Sequence, residues 1–270
     1  MTPAGFLVRA ALGAGLASLT LSMLSGFVVL KRLAFAGSGI AHAAFGGVAL
    51  ALLLGLPPLP VAVLFSLGLA LLVENLSQRG GLPEDSAIGI FFAASMAVGV
   101  LLLSFRRAYN IDLFSLLFGN LLALSAADLW LLAGLAAVVA VLVWRYSGDM
   151  IAVAFDEDLA AAGGLPVQGL NRLLLILLTL AIILSMKAVG VVLVSALLVL
   201  PGATALEMAY SLRSFLLLSL LFGTLATVAG LSVSYALNLA SGAAIVIAGT
   251  LLFLAVNALR RRRRSRLLGR

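Results

Sequence analysis

The feature that most constrains this chain is the length of its apolar stretches that contain no charged residue. Residues 214–259 contain no Asp, Glu, Lys or Arg, and residues 33–73 form a second such stretch. A helix needs about 20 mostly apolar residues to cross the hydrocarbon core of a bilayer. Each stretch is therefore long enough for two crossings, and the sequence predicts an all-α polytopic integral membrane protein.

Composition excludes the main soluble classes. Of the 270 residues 64% are hydrophobic and 10% are charged, whereas about a quarter of the residues in a soluble domain are charged. Seven of the 17 basic residues lie in 260–270, which leaves ten basic and ten acidic residues elsewhere. The net charge of +7 is therefore a property of one tail, and we expect no nucleic-acid partner. The absence of Cys excludes disulfides and thiolate metal sites.

Nine spans are predicted, within a range of eight to ten. The uncharged or nearly uncharged stretches that supply them are 10–30, 33–73 (two), 86–105, 129–144, 173–206 (two) and 214–259 (two). An outside N-terminus and an inside C-terminus place thirteen of the seventeen Lys and Arg residues inside, as the positive-inside rule requires. This predicts one transmembrane domain over 1–259 and a basic cytoplasmic tail over 260–270.

Two further segments are predicted not to cross the membrane. The segment 110–128 has an apolar core too short for a comfortable crossing, which favours a re-entrant or interfacial helix on the outer side. In the predicted cytoplasmic loop 145–172, three acidic residues precede an Ala-rich run that ends at Gly163-Gly164. This pattern predicts a short helix with both ends marked. It is either a docking surface for a partner or an ordinary linker helix.

His42 is the one ionisable residue deep inside a predicted span, and it is the sole His of the chain. At a spacing of four residues it shares a helix face with Ser38, beside a stripe of small residues, Gly39, Ala43 and Gly47. Ionisable residues inside membrane spans are scarce and tend to line transport pathways. The alternative is a neutral His that bonds a carbonyl at a helix contact.

Two more observations bear on mechanism. Pro201 and Gly202 lie within a predicted span and predict a helix break, which is either a kink fixed by packing or the edge of a cavity. Neither Lys31 nor Lys187 follows a glycine, so the chain lacks the G-x-x-x-x-G-K-[ST] nucleotide loop. If ATP drives this protein, another chain hydrolyses it.

Four blocks in order resemble the permease subunits of bacterial ABC importers for divalent metals, the zinc, manganese and iron type. They are residues 31–43 around Gly39 and His42, residues 111–120, residues 155–164, and residues 189–205 with Pro201. Together they extend the resemblance over about residues 5–258.

The resemblance implies a permease that works by alternating access in the cell membrane and performs no covalent chemistry. It implies a second copy of the chain, two ABC ATPase subunits that hydrolyse ATP, and an extracytoplasmic metal-binding protein as partners, besides membrane lipid. No cofactor is expected in this chain, and a divalent metal would be a transient cargo. The coupling to the ATPase would be made by Asp156, Glu157, Asp158, Ala160 and Gly164.

One position departs from the family pattern. The family has an Asp four residues before the path-lining His, and this chain has Ser38 there. Losing the anionic ligand weakens coordination of a divalent ion, which leaves a metal chelate or another small solute as an alternative cargo. A membrane-embedded enzyme and an ion-driven carrier are less favoured, because no acid–base cluster is visible and all ten Asp and Glu lie at predicted loops or span ends. The choice of metal remains open.

Overall fold

The computed structural model describes residues 3–80, 83–105, 119 and 124–268, and within these ranges the chain is helical without strands. The helices are α1 (Pro3–Leu30), α2 (Ala36–Leu54), α3 (Pro58–Gly80), α4 (Glu84–Ser104), α5 (Ala126–Phe155), α6 (Glu157–Ala162), α7 (Val167–Met208), α8 (Leu212–Leu237) and α9 (Ser241–Leu268). All of them except α6 are long and apolar enough to cross a membrane. The predicted all-α polytopic class is confirmed.

Ion pairs mark the two ends of the bundle. At one end, called the Lys31 face, Lys31 pairs with Glu157 at 2.9 Å. At the other, called the Asp128 face, Asp128 in the first turn of α5 pairs with Lys187 at 2.6 Å. The 30 residues of α5 connect the two faces and cover roughly 45 Å at 1.5 Å per residue.

The chain reverses direction inside α7. This helix of 42 residues starts at the Lys31 face, where Asn171 bonds Glu157, and reaches the Asp128 face at Lys187. Its backbone leaves helical geometry at Gly190, with φ 80° and ψ 162°. The second half then returns toward the Lys31 face, where Gly202 bonds Ser25 of α1.

Each half of α7 is thus a segment of membrane-spanning length. In the part of the chain that the structure describes, eight candidate helices provide nine such segments, in agreement with the predicted nine. The two predicted spans within 173–206 form one helical hairpin whose turn is a single glycine.

The predicted helix break at Pro201 and Gly202 stays a prediction. Both residues lie within the helical second half of α7, and the non-helical residue of α7 is Gly190. Glycine accepts a positive φ without steric cost. Pro201 has no N–H to donate to the carbonyl of Leu197, and the N–H of the next residue, Gly202, donates to the hydroxyl of Ser25 in α1 at 2.8 Å.

The extent of burial distinguishes central helices from peripheral ones. In the candidate spans of α1, α2 and α7, 61 to 72% of the residues are buried, against 17 to 28% in the other five. Apolar residues on the exposed surface of these five helices suit contact with lipid chains. α1 and α7 form the centre, and α2 lies beside them.

The predicted re-entrant or interfacial helix within 110–128 lies outside the described residues for most of its length. Gly119 is described, with φ 71°, and it packs directly on the turn of α7. A Cβ at this position would lie 2.5 Å from the carbonyl carbon of Val189. The glycine therefore permits the close approach of this segment to Gly190.

The basic segment that begins at Arg260 continues α9 rather than leaving it as a separate tail, since the helix ends at Leu268. Arg260 pairs with Glu207 at 2.6 Å, which fixes the end of α9 to the end of α7. The division into a domain over 1–259 and a tail over 260–270 stays a prediction.

Candidate functional site

The helix α2 packs through its small residues, as the sequence predicts. Gly39 lies against Ile88 of α4, and a Cβ at Gly47 would lie 2.7 Å from the Cα atom of Ala62 in α3. Ala43 is buried on the same face. Because these positions carry little or no side chain, the backbone of α2 approaches α3 and α4 closely.

His42 is half-buried on α2, and its hydrogen bond fixes its tautomer. Its Nδ1 atom lies 2.7 Å from the backbone carbonyl oxygen of Ser38. A carbonyl oxygen accepts and does not donate, so Nδ1 carries the proton and the lone pair of the neutral ring is on Nε2. The ring also meets Phe92 of α4 edge-on, with centroids 4.8 Å apart. This arrangement orients one nitrogen donor of the kind that binds transition metals.

Ser38 and His42 lie one turn apart as predicted, but the link between them is the carbonyl of Ser38. The Ser38 hydroxyl bonds the carbonyl of Phe35 at 3.3 Å. Among the described residues, no group of three or more His, Cys, Asp or Glu is close enough to hold a metal ion.

The predicted helix in the loop 145–172 is present as α6, and both ends are capped. The side chain of Asp156 accepts from the N–H of Leu159 at 2.9 Å. At the other end Gly164 has φ 82°, and the N–H of Leu165 bonds the carbonyl of Ala160 at 3.1 Å. Capping satisfies backbone groups that a helix of six residues would otherwise expose.

The orientation of α6 buries Ala160, whose expected role in ATPase coupling stays a prediction. Ala160 is only 6% exposed and packs inward, whereas Leu159 and Phe155 are 72% and 74% exposed. The exposed apolar side chains here are Phe155, the last residue of α5, and Leu159 of α6, which the sequence reasoning missed. Asp156 between the two helices is extended, with φ -157° and ψ 108°, so helical spacing gave no signal for this pair. Asp158 is exposed beside them.

Glu157 joins three elements, and its side chain is 50% exposed. It accepts from Lys31 at 2.9 Å and from the side-chain amide of Asn171, a residue that is 3% exposed, at 3.0 Å. Burial by itself raises the pKa of Glu157, but the hydrogen bonds from Lys31 and Asn171 and the charge of Lys31 hold it below its ordinary value.

A second ion pair lies next to the first. Arg172, which follows Asn171, bonds Glu74 of α3 at 3.1 Å and Asn75 at 3.2 Å. The Glu74 side chain is fully buried. The sequence reasoning placed every carboxylate at a loop or a span end and missed this buried one, because its partner lies about a hundred residues away in the chain.

This chain is similar to a known protein family, to named relatives and to a solved structure. Residues 4–260 match the family described as the ABC 3 transport family. The manganese transport system membrane protein MntC of Halalkalibacterium halodurans is 36% identical over 248 residues, which cover 92% of this chain and 85% of the relative. The manganese import system permease protein ScaB of Streptococcus gordonii is 36% identical over 84% of this chain and 82% of the relative. The solved structure of PsaBC from Streptococcus pneumoniae in complex with Fab superposes with a TM-score of 0.80 at 35% identity, covering 93% of this chain and 90% of that one.

Proposed function

The chain belongs to the ABC 3 transport family, and from this membership we propose that it is the membrane-spanning permease subunit of an ATP-driven importer whose cargo is the manganese ion. The two relatives compared above carry names that specify manganese transport. The observation that carries the proposal in this chain is the oriented Nε2 donor of His42 on an otherwise uncharged α2.

The chemistry of His42 suits transport better than storage. Imidazole binds first-row divalent metals, and a single nitrogen ligand holds them weakly. Ser38 in place of an anionic ligand weakens the contact further. An ion that must leave the site within a transport cycle benefits from this weak binding, since a tight site would retain it.

The proposed assembly has two copies of this chain, two ABC ATPase subunits and an extracytoplasmic binding protein. The Lys31 face would be cytoplasmic, in keeping with an outside N-terminus and an inside C-terminus. The ATPase would dock on Leu159 of α6 and on Phe155 at the end of α5, and Asp156, Glu157, Asp158 and Gly164 would set the geometry of α6. Hydrolysis would take place in the ATPase, and this chain would supply the path and the alternating access.

A metal chelate is the second candidate cargo, and Ser38 is the observation that favours it. Without a carboxylate at this position the path has less affinity for a bare cation. A chelate carries its own ligands and would not need that group.

Reconstituted transport tests the function. The complex with its ATPase and binding protein, in liposomes, should accumulate radioactive manganese when ATP is present. An ATPase variant without its catalytic Glu should abolish uptake. Accumulation of an iron chelate in place of manganese would favour the second candidate, and ATP-independent uptake would contradict an ABC importer.

Labelling tests the orientation, and the absence of Cys in the chain makes single-cysteine variants informative. Asn238→Cys lies in the turn between α8 and α9, and Gly163→Cys lies after α6. A membrane-impermeant maleimide should label the first in intact cells and the second only after permeabilisation. The reverse pattern would invert the proposed orientation.

A further inference from the structure

We propose that the ion pair of Lys31 and Glu157, held by Asn171, is the link that transmits movement of α6 to α2 and thereby to His42. Lys31 and Glu157 are then positioning residues for transport. This inference depends on the proposed function, because it takes α6 to be the element that the ATPase moves.

The first part of the link is the joint between α1 and α2. α1 ends at Leu30 and α2 begins at Ala36. The joint is tightly held, since the N–H of Leu33 bonds the carbonyl of Val28 at 2.9 Å and Arg32 has a left-handed φ of 59°. A displacement of Lys31 is therefore passed to the start of α2 rather than absorbed by slack backbone.

The second part is α6 itself. A helix of six residues has marginal stability alone in water, so its position depends on its contacts with neighbouring helices. Ala160 is buried, and Glu157, three residues before it, bonds Lys31 and Asn171 with a side chain that is 50% exposed. Its hydrogen bond with Lys31 is charge-assisted, the stronger class of such bonds.

Burial of the other partners makes the link stiff. The Lys31 side chain is 7% exposed, and Asn171 is 3% exposed. Side chains confined in this way have few alternative rotamers. A shift of the Glu157 carboxylate must therefore move the Lys31 ammonium or break the bond.

There is also space for the movement. A cavity of about 700 Å³ opens on the Lys31 face and is lined by the α1–α2 joint, the start of α4 and the segment that leads into α6. Lys31, Asp85 and Glu157 are among its lining residues. The joint thus borders open volume on one side and the packed α7 on the other, which allows a hinge-like displacement.

Two neutral variants and one charge exchange test the link. Glu157→Gln and Lys31→Met each remove the ionic attraction, and we expect cargo transported per ATP hydrolysed to fall by about tenfold, the scale of one charge-assisted hydrogen bond. In the double variant Lys31→Glu with Glu157→Lys, the amide of Asn171 can turn over and accept from the new Lys. Transport per ATP should then recover to within about threefold of wild type. Glu207→Gln is the matched control, because it breaks an ion pair on the same face that does not involve α6.

The readout separates coupling from folding. Each variant complex should still assemble, and loss of the ion pair should lower its melting temperature by no more than about a few degrees. Because transport is expressed per ATP hydrolysed, a change in the ATPase rate does not by itself alter the readout. Unchanged transport per ATP in both neutral variants would overturn the proposal. Failure of the charge exchange to restore transport while the complex assembles normally would overturn it as well. If the wild-type chain does not assemble with an ATPase, the proposed function itself fails instead.

Discussion

Two interfaces between helices of this protein, here called seams, are held by different kinds of contact. The serine seam joins α1 to α7 and α8 through Ser18, Ser22 and Ser25 on α1. Four hydrogen bonds cross it: Ser18 to the Gly223 carbonyl, Thr227 to Ser18, Ser219 to the Ser22 carbonyl, and the Gly202 N–H to Ser25. The glycine seam joins α2 to α3 and α4 through Gly39, Gly46 and Gly47. Within the described membrane-spanning residues, the hydrogen bond of Ser95 to the Ala43 carbonyl crosses it.

The difference shows which half of the bundle is suited to move. Directional hydrogen bonds have a preferred register, so sliding along the serine seam breaks them. Contacts of small and apolar groups along the glycine seam are less directional, and packed helices of this kind can shear. α1, α7 and α8 therefore form the scaffold. α2, which carries His42, lies on the yielding side, and the Lys31 joint lies where the two meet.

Adding one methyl group to the serine seam should have the largest effect. In Gly202→Ala the new Cβ would lie 2.6 Å from the carbonyl oxygen of Ser25, and backbone cannot move aside as a side chain can. We expect a loss of stability of about 2 kcal/mol or more, in the upper range for overpacking. Thermal unfolding in detergent measures it.

The control for this variant is Gly134→Ala in α5, where nothing lies within 4 Å of the added Cβ. That change should be neutral or stabilising by roughly 0.5–1 kcal/mol, because Ala has the higher helix propensity. Equal melting temperatures for the Gly202 and Gly134 variants would contradict the rigid seam.

Ser38→Asp tests the α2 side of the comparison between the two seams. The change adds an anionic ligand one turn from His42 without touching the serine seam. We expect manganese binding to the assembled complex to tighten by about tenfold and the melting temperature to remain as in wild type. Calorimetric titration measures the affinity. Unaltered affinity would mean that the two positions do not face one ion.

Gly39→Ala should have a smaller effect on stability. Its nearest neighbour is the Cγ2 methyl group of the Ile88 side chain, and the nearest backbone atom is 3.9 Å from the new Cβ. We expect a cost of about 1 kcal/mol together with a several-fold slower transport, since the seam becomes tighter. A variant that unfolds as readily as Gly202→Ala would show that the glycine seam is no more yielding than the serine seam.

The smallest effect expected is the acid dependence of the Lys31 face. The pKa of Glu157 is held below its ordinary value of 4.5, so its contribution to stability is complete above that pH and is lost as the pH falls through the lower folded value. Wild type should lose stability more steeply than Glu157→Gln below pH 4.5. Parallel melting curves from pH 7 to pH 3 for the two proteins would contradict the ion pair.

Much of the fold could be predicted from the sequence because membrane spans are encoded locally. The charge-free stretches indicated nine segments, and the acidic start and Gly stop of α6 indicated its capped ends. Small residues on α2 also marked its packing face. Each of these signals lies within a single segment, where helix geometry fixes which residues share a face.

Other features could not be predicted because they depend on distant partners. Nothing local distinguishes Gly190 from the other glycines of the spans, and Pro201 gave the stronger signal for a break. Only the packing of Gly119 and the return path of α7 show where the chain turns. Likewise, the inward orientation of Ala160 and the burial of Glu74 depend on contacts made far along the chain.

Manganese uptake by liposomes that contain the complete complex, with His42→Ala compared to wild type, tests the central claim most directly. In the proposed function His42 would bind the ion only in passing, and its hydrogen bond to the Ser38 carbonyl lies within its own helix, so its loss should affect transport and not assembly. The predicted result is an initial uptake rate lower by at least about tenfold, with wild-type assembly and melting temperature. His42→Gln, whose amide can still donate to the Ser38 carbonyl, should be impaired as well. Wild-type uptake by His42→Ala would contradict the claim that α2 presents this imidazole to the cargo.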